Sequence, residues 1–205
     1  MLCSPFDRRI LAFVFILLLA IDAAAQRGAI VRPQNLAQIT EQAADIVQGR
    51  VSSVRVEPHP QLKNLKTVLV SVAVTDTLKG SAKDSISFRQ YLWDIRDIHE
   101  SGGYRVGQEL VLFLNRTSEI GLTSPVGIRQ GRFRVEQDSQ GTRIATNGEN
   151  NAKLLEGVAQ SSTVAKLSAR SRSAIASGAA SAGPLPVDVL KETVRAMVAA
   201  QRSNQ

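Results

Sequence analysis

The stretch Thr67 to Leu78 reads TVLVSVAVTDTL, and its alternation decides the fold class. Val68, Val70, Val72 and Val74 fall on one face and Thr67, Ser71 and Thr75 on the other, the period of a half-buried β-strand. Lys79-Gly80 ends it, and Ser85 to Gln90 repeats the alternation with Ile86 and Phe88 inward. Upstream, Val47, Gly49 and Val51 alternate with polar neighbours, after which Val54 and Val56 continue on the opposite parity. A strand that switches face near Ser52-Ser53 requires a β-bulge, which re-aims the chain in coiled or closed sheets. Pro58-His59-Pro60 cannot continue a central strand, because proline lacks the ladder donor, and it predicts an exposed turn.

Downstream, Leu110 to Leu114 (LVLFL) is a continuous apolar run, as expected of a strand covered on both faces. Residues 121 to 128, 131 to 136 and 142 to 146 give three further strand signals, with turns at Gln130-Gly131 and Asp138 to Gly141; the last two should form a hairpin. Leu36, Ile39, Ala43, Ile46 and Val47 recur at helical spacing and predict a short amphipathic helix that opens the domain, and a brief helix is expected around Ala152 to Glu156. The fold class is therefore all-β with minor α: an OB-like small β-barrel over residues 36–157.

The flanks read differently. Arg8 and Arg9, the apolar run Ile10 to Ile21, and Ala23-Ala24-Ala25 form a signal peptide over residues 1–25, cleaved after Ala25. Asp22 interrupts the run well short of the roughly 20 apolar residues of a spanning helix, so the mature chain is expected to be secreted or periplasmic. The single cysteine, Cys3, leaves with the leader, which excludes disulfides, a thiolate metal site and a cysteine nucleophile. Residues 158–183 are 17 of 26 Ala, Ser or Gly, with three basic and no acidic residues, and predict a flexible linker. Over 184–205, Val187, Leu190, Val194, Met197 and Val198 form one helical stripe. An isolated helix of that length is marginal in water, so it needs a surface. Lys191, Arg195 and Arg202 beside the stripe permit contact with an anionic membrane, but the face is narrow and lacks aromatic anchors, which favours docking on its own barrel or on a partner.

The net charge is +7, from 25 Lys and Arg against 18 Asp and Glu. Residues 158–205 carry six basic and two acidic residues, so much of the excess belongs to the tail rather than to a nucleic-acid groove.

The runs Ala44-Asp45-Ile46-Val47-Gln48-Gly49-Arg50-Val51, Leu78-Lys79-Gly80, Gly102-Gly103, Gly107-x-x-Leu110-Val111-Leu112-Phe113-Leu114 and Gly127-x-x-Gln130-Gly131-x-Phe133-x-Val135 are similar to a group of uncharacterised exported bacterial proteins. Their plan resembles the OB-like barrel of the tissue inhibitor of metalloproteinases and netrin modules. The likeness spans residues 44–135 and consists of glycines and apolar positions; it implies a barrel fold and export. Those inhibitors bring an N-terminal cysteine to the catalytic zinc, which the mature chain lacks, so inhibition does not carry over.

The aperiodic segment 91–107 is a long loop, and long loops in compact domains are often functional. Tyr91, Trp93 and Tyr104 offer either a recognition edge or a cover for the open end of a barrel. Asp94, Asp97, His99 and Glu100 are weak candidates for a divalent cation, since carboxylates with an imidazole can bind one, but their spacing fits no ligand motif and a solvated polar loop explains the same residues. Arg129, Arg132 and Arg134 form a basic cluster, either a contact surface or the solvated face of a strand. Neither a nucleophile elbow nor a phosphate-cradling glycine loop occurs, so no cofactor is implied. The residues point to an exported, non-catalytic binding module. Its contact surface is the 91–107 loop, with Tyr91, Trp93, Tyr104, Arg129 and Arg132 as binding residues, another exported or envelope protein as partner, and no nucleic acid. The alternative is a small metal-assisted or other hydrolase that uses the same loop.

Overall fold

In the computed structural model, which describes residues 32–161, 163–178 and 182–203, the strand signals assemble into one antiparallel sheet. The signal peptide lies outside the described residues. Strand β1 (Asp45–Pro58) pairs with β2 (Lys66–Lys79), and β2 with β3 (Ser85–Tyr91). On its other side β1 pairs with β4 (Glu109–Leu114), followed by β5 (Arg132–Gln137), β6 (Arg143–Asn147) and β7 (Leu185–Pro186). Helices α1 (Leu36–Gln42), α2 (Ile95–His99), α3 (Ala169–Gly178) and α4 (Val187–Ser203) accompany the sheet.

The face switch in β1 is present. Its partners step from Val51↔Val72 to Ser53↔Ser71, leaving Ser52 unpaired, and Val54 then packs against the same core as Val47 and Val51. Gly49 allows the close approach of β1 and β2: a Cβ there would stand 2.3 Å from the Ala73 carbonyl oxygen of β2. Two cores result, one on each face. Val47, Val51, Val68, Val70, Val72, Phe88, Leu110, Leu112 and Leu114 fill the inner one, whereas Ile46, Val111, Phe113 and Phe133 meet α1 and α4 on the other. The run LVLFL thus serves both cores by alternation, as its lack of polar positions predicts.

Four expectations about the fold change. The sheet does not close into a hydrogen-bonded barrel: β3 and β7 are its edges. Residues 121 to 128, expected as a strand, make only a bridge between Leu114 and Pro125, while the Thr123 N–H donates to the Arg89 carbonyl of β3 (2.8 Å). Pro125 has no amide to donate, and left-handed φ at Gly121, Gly127 and Ile128 breaks the extended path. The segment 152–156 forms turns rather than a helix, with Asn150, Asn151 and Lys153 at positive φ.

The fourth change concerns residues 158–183. Val158, Val164, Leu167 and Ile175 are buried in the α4-side core, and α3 lies within this segment. Glu192 of α4 caps α3 from a distance, accepting from the Ser168 N–H (2.6 Å) and from the Ser168 and Ser171 hydroxyls. Those hydrogen bonds, first the one from Ser171, hold its carboxyl below the usual glutamate range. A charged acceptor at a helix N-terminus is the favourable sign for the macrodipole.

Helix α4 docks on the protein's own sheet, burying Val187, Leu190, Val194, Met197 and Val198. Asp76 of β2 receives Lys191 (2.5 Å) and Arg195 (2.6 Å) from that helix. Partial burial works against the Asp76 charge, but the Lys191 hydrogen bond and the two cations outweigh it and lower its pKa. The native state therefore gains stability from Asp76 above the ordinary aspartate value of 3.8 and loses it as pH falls through the lowered native value. Asp76→Asn should cost about 1.5–3 kcal/mol at neutral pH, and the gap to wild type should close in acid. Urea titrations at several pH values measure it; a gap independent of pH would exclude the ionic role.

Candidate functional site

The loop between β3 and β4 is built from its own backbone bonds. Asp94 accepts the Asp97 N–H (2.9 Å) as the N-cap of α2, and Asp97 in turn accepts the Trp93 N–H (3.1 Å). This reciprocal capping fixes the entry of a helix too short to be stable alone. It leaves Trp93 and Ile95 at the front of α2, 63% and 73% exposed. Tyr91 supports Trp93 edge-on, with ring centroids 5.2 Å apart.

The second half of the loop turns inward. Left-handed Gly102 and Gly103 fold the chain back against Val68 and Leu92. Tyr104 then enters the inner core at 2% exposure, edge-on to Phe88 at 5.7 Å, and its hydroxyl donates to Gln90 Oε1 (2.8 Å). Arg132 stacks over its ring at 4.7 Å and donates to the Gly102 carbonyl (2.5 Å). Burial pushes the Tyr104 phenol up to about 12. Tyr104 and Arg132 therefore seal the end of the inner core instead of offering a contact surface.

Arg129 does not join the loop; it donates to the Gly148 carbonyl (3.0 Å) beside Glu149. Asp94 and Asp97 spend oxygens on backbone amides, and His99 and Glu100 close the far end of α2. Among the described residues no three His, Cys, Asp or Glu side chains gather in a way that could hold a metal ion. The cleft lined by Arg143, Arg170, Lys191 and Arg195 is an ionic seam, since these cations pair with Glu109, Asp188 and Asp76.

His59, expected in an exposed turn, is 3% exposed. Its Nε2 donates to the Ile120 carbonyl (2.7 Å) while Nδ1 accepts the Leu62 N–H (3.1 Å), so it clasps the β1–β2 turn to the loop after β4. That clasp ties the backbone at Leu62 to the backbone at Ile120 through the His59 ring, and both side chains are exposed. The Leu92 N–H donates to the Lys66 carbonyl (3.0 Å), which brings Trp93 to this same end of the sheet. Ile95, Leu62 and Ile120 were not legible as surface residues, because an isolated aliphatic in an aperiodic stretch reads the same whether it is buried or not.

Comparison of the chain with protein-family models, with curated proteins and with solved structures finds no match. Among the described residues no helix is long and apolar enough to cross a membrane.

Proposed function

We propose that this protein is an exported interaction module that binds another exported or envelope protein through the first half of its 91–107 loop. One observation carries the reading: Trp93 and Ile95 are held out into solvent by a capped helical turn, with Tyr91 bracing the indole. Large apolar side chains presented rigidly suit a protein contact, where tryptophan is enriched among the few residues that dominate affinity. The bulged β1 and an inner core shared by β1, β2, β3 and β4 support reading the domain as an open relative of the OB-like barrel. The leader at residues 1–25 supports an extracytoplasmic location.

Affinity capture from the native envelope or medium should recover a partner that Trp93→Ala weakens by about tenfold or more. Tyr104→Phe, which keeps the buried ring, should leave recovery unchanged once folding is matched. Equal recovery by the Trp93 variant and wild type would remove this loop from the interface.

A further inference from the structure

The N-terminal half of β1 has a paired strand on each side, and its C-terminal half has only β2. The Val51 N–H donates to the Gln108 carbonyl and the Val51 carbonyl accepts the Gly107 N–H, after which the bulge at Ser52 reverses the parity. At the far end the His59 N–H donates to the Leu65 carbonyl across the turn to β2. Backbone groups alternate in direction along an antiparallel strand, so Ser53, Arg55 and Glu57 point theirs at β2, and Val54, Val56 and Pro58 point theirs away. Among the described residues no strand lies beside them, because the β4 pairing ends at Arg50↔Glu109 and the Gln108 contact. Val56 is also 38% exposed.

We propose that this edge pairs with the same edge of a second copy of the chain, antiparallel and centred on Val56. The charges choose both occupant and register. Arg55 and Glu57 share one face of β1, with Arg55 Nε 4.0 Å from Glu57 Oε2. Centring on Val56 sets Arg55 opposite Glu57 of the second copy and, by the two-fold axis, Glu57 opposite Arg55 of the second copy. Centring on Arg55 or on Glu57 would set like charges opposite one another, which is destabilising. In the favoured register the Val56 amides and carbonyls bond reciprocally, and the Val54 N–H donates to the Pro58 carbonyl of the second copy. Pro58 has no N–H, so the ladder stops there. The contact uses the same segment of both copies and closes as a two-fold dimer rather than growing. It is independent of the Trp93 surface.

Charge exchange tests it. Sedimentation velocity over a concentration series should show a monomer–dimer equilibrium for wild type. Arg55→Glu should weaken self-association by roughly tenfold or more, since both cross-strand pairs become like-charged. Glu57→Arg should do the same, and mixing the two variants should restore a heterodimer, because every opposed pair is then of opposite sign. Glu57 also holds Arg89 (2.6 Å), so thermal melts must show that the Glu57 variant is folded. If it is not, hydrogen exchange decides with wild type and Arg55→Glu alone. The Val54 and Val56 amides should gain protection with concentration in wild type and not in Arg55→Glu. A wild type that stays monomeric, a dimer indifferent to Arg55→Glu, or folded variants that fail to form the heterodimer would each overturn the proposal.

Discussion

Tyr104→Ala should destabilise the protein by about 3–5 kcal/mol, the range for truncating a buried aromatic. The ring fills the end of the inner core against Phe88, its hydroxyl satisfies the buried Gln90 side chain, and it carries the Arg132 guanidinium. Removing it leaves a cavity, an unpaired amide oxygen and a cation without its aromatic partner. Tyr104→Phe separates these effects. It keeps the packing and should cost about 1–3 kcal/mol, the penalty for leaving a buried acceptor unsatisfied. The phenol also predicts an alkaline signature. Its pKa is raised from 10.0 to about 12, so the stability it contributes is complete below 10 and is lost as pH rises towards 12. Tyr104→Phe should flatten the stability curve over that interval. A Tyr104→Ala variant within a few tenths of a kcal/mol of wild type in urea would mean that the side chain stands in solvent.

Ile175→Ala should cost about 2–5 kcal/mol, although it lies in the stretch whose composition reads as linker. Ile175 is fully buried in the core shared by α4, Leu155 and Phe133, and α3 presents it one turn after the buried Ser171. The exposed Ala176→Ser provides a control and should change stability little. Limited proteolysis gives a second measure: Arg170 and Arg172 should resist trypsin in wild type and become cleavable with Ile175→Ala. An unchanged melt for Ile175→Ala, with ready cleavage at both arginines in wild type, would restore the linker reading.

Much of the sheet was legible because a strand records its own faces. The valines of β2, the bulge at Ser52, the two-sided run of β4 and the β5–β6 hairpin all follow from alternation within one segment. The stripe of α4 follows from helical spacing in the same way, as does its demand for a covering surface. Where the reading failed, the missing partner was distant in sequence. Four apolar residues scattered through an Ala- and Ser-rich stretch are too few to predict burial, and the carboxylate that caps α3 comes from Glu192. His59 is buried because Ile120 supplies an acceptor.

The same distinction separates Trp93 from Tyr104. Both are aromatics in an aperiodic loop, and residue type does not say which one faces water. Two left-handed glycines and an arginine from β5 turn Tyr104 inward, whereas the Asp94–Asp97 caps hold Trp93 outward. The sequence by itself therefore determined a mostly β chain with a bulged strand, a two-faced central strand and a helix in need of a surface, because each is a local period. The tertiary structure alone decided that the sheet stays open, that the Ala- and Ser-rich segment is part of the core, and which aromatic is exposed, because each depends on hydrogen bonds and packing between residues far apart in the chain.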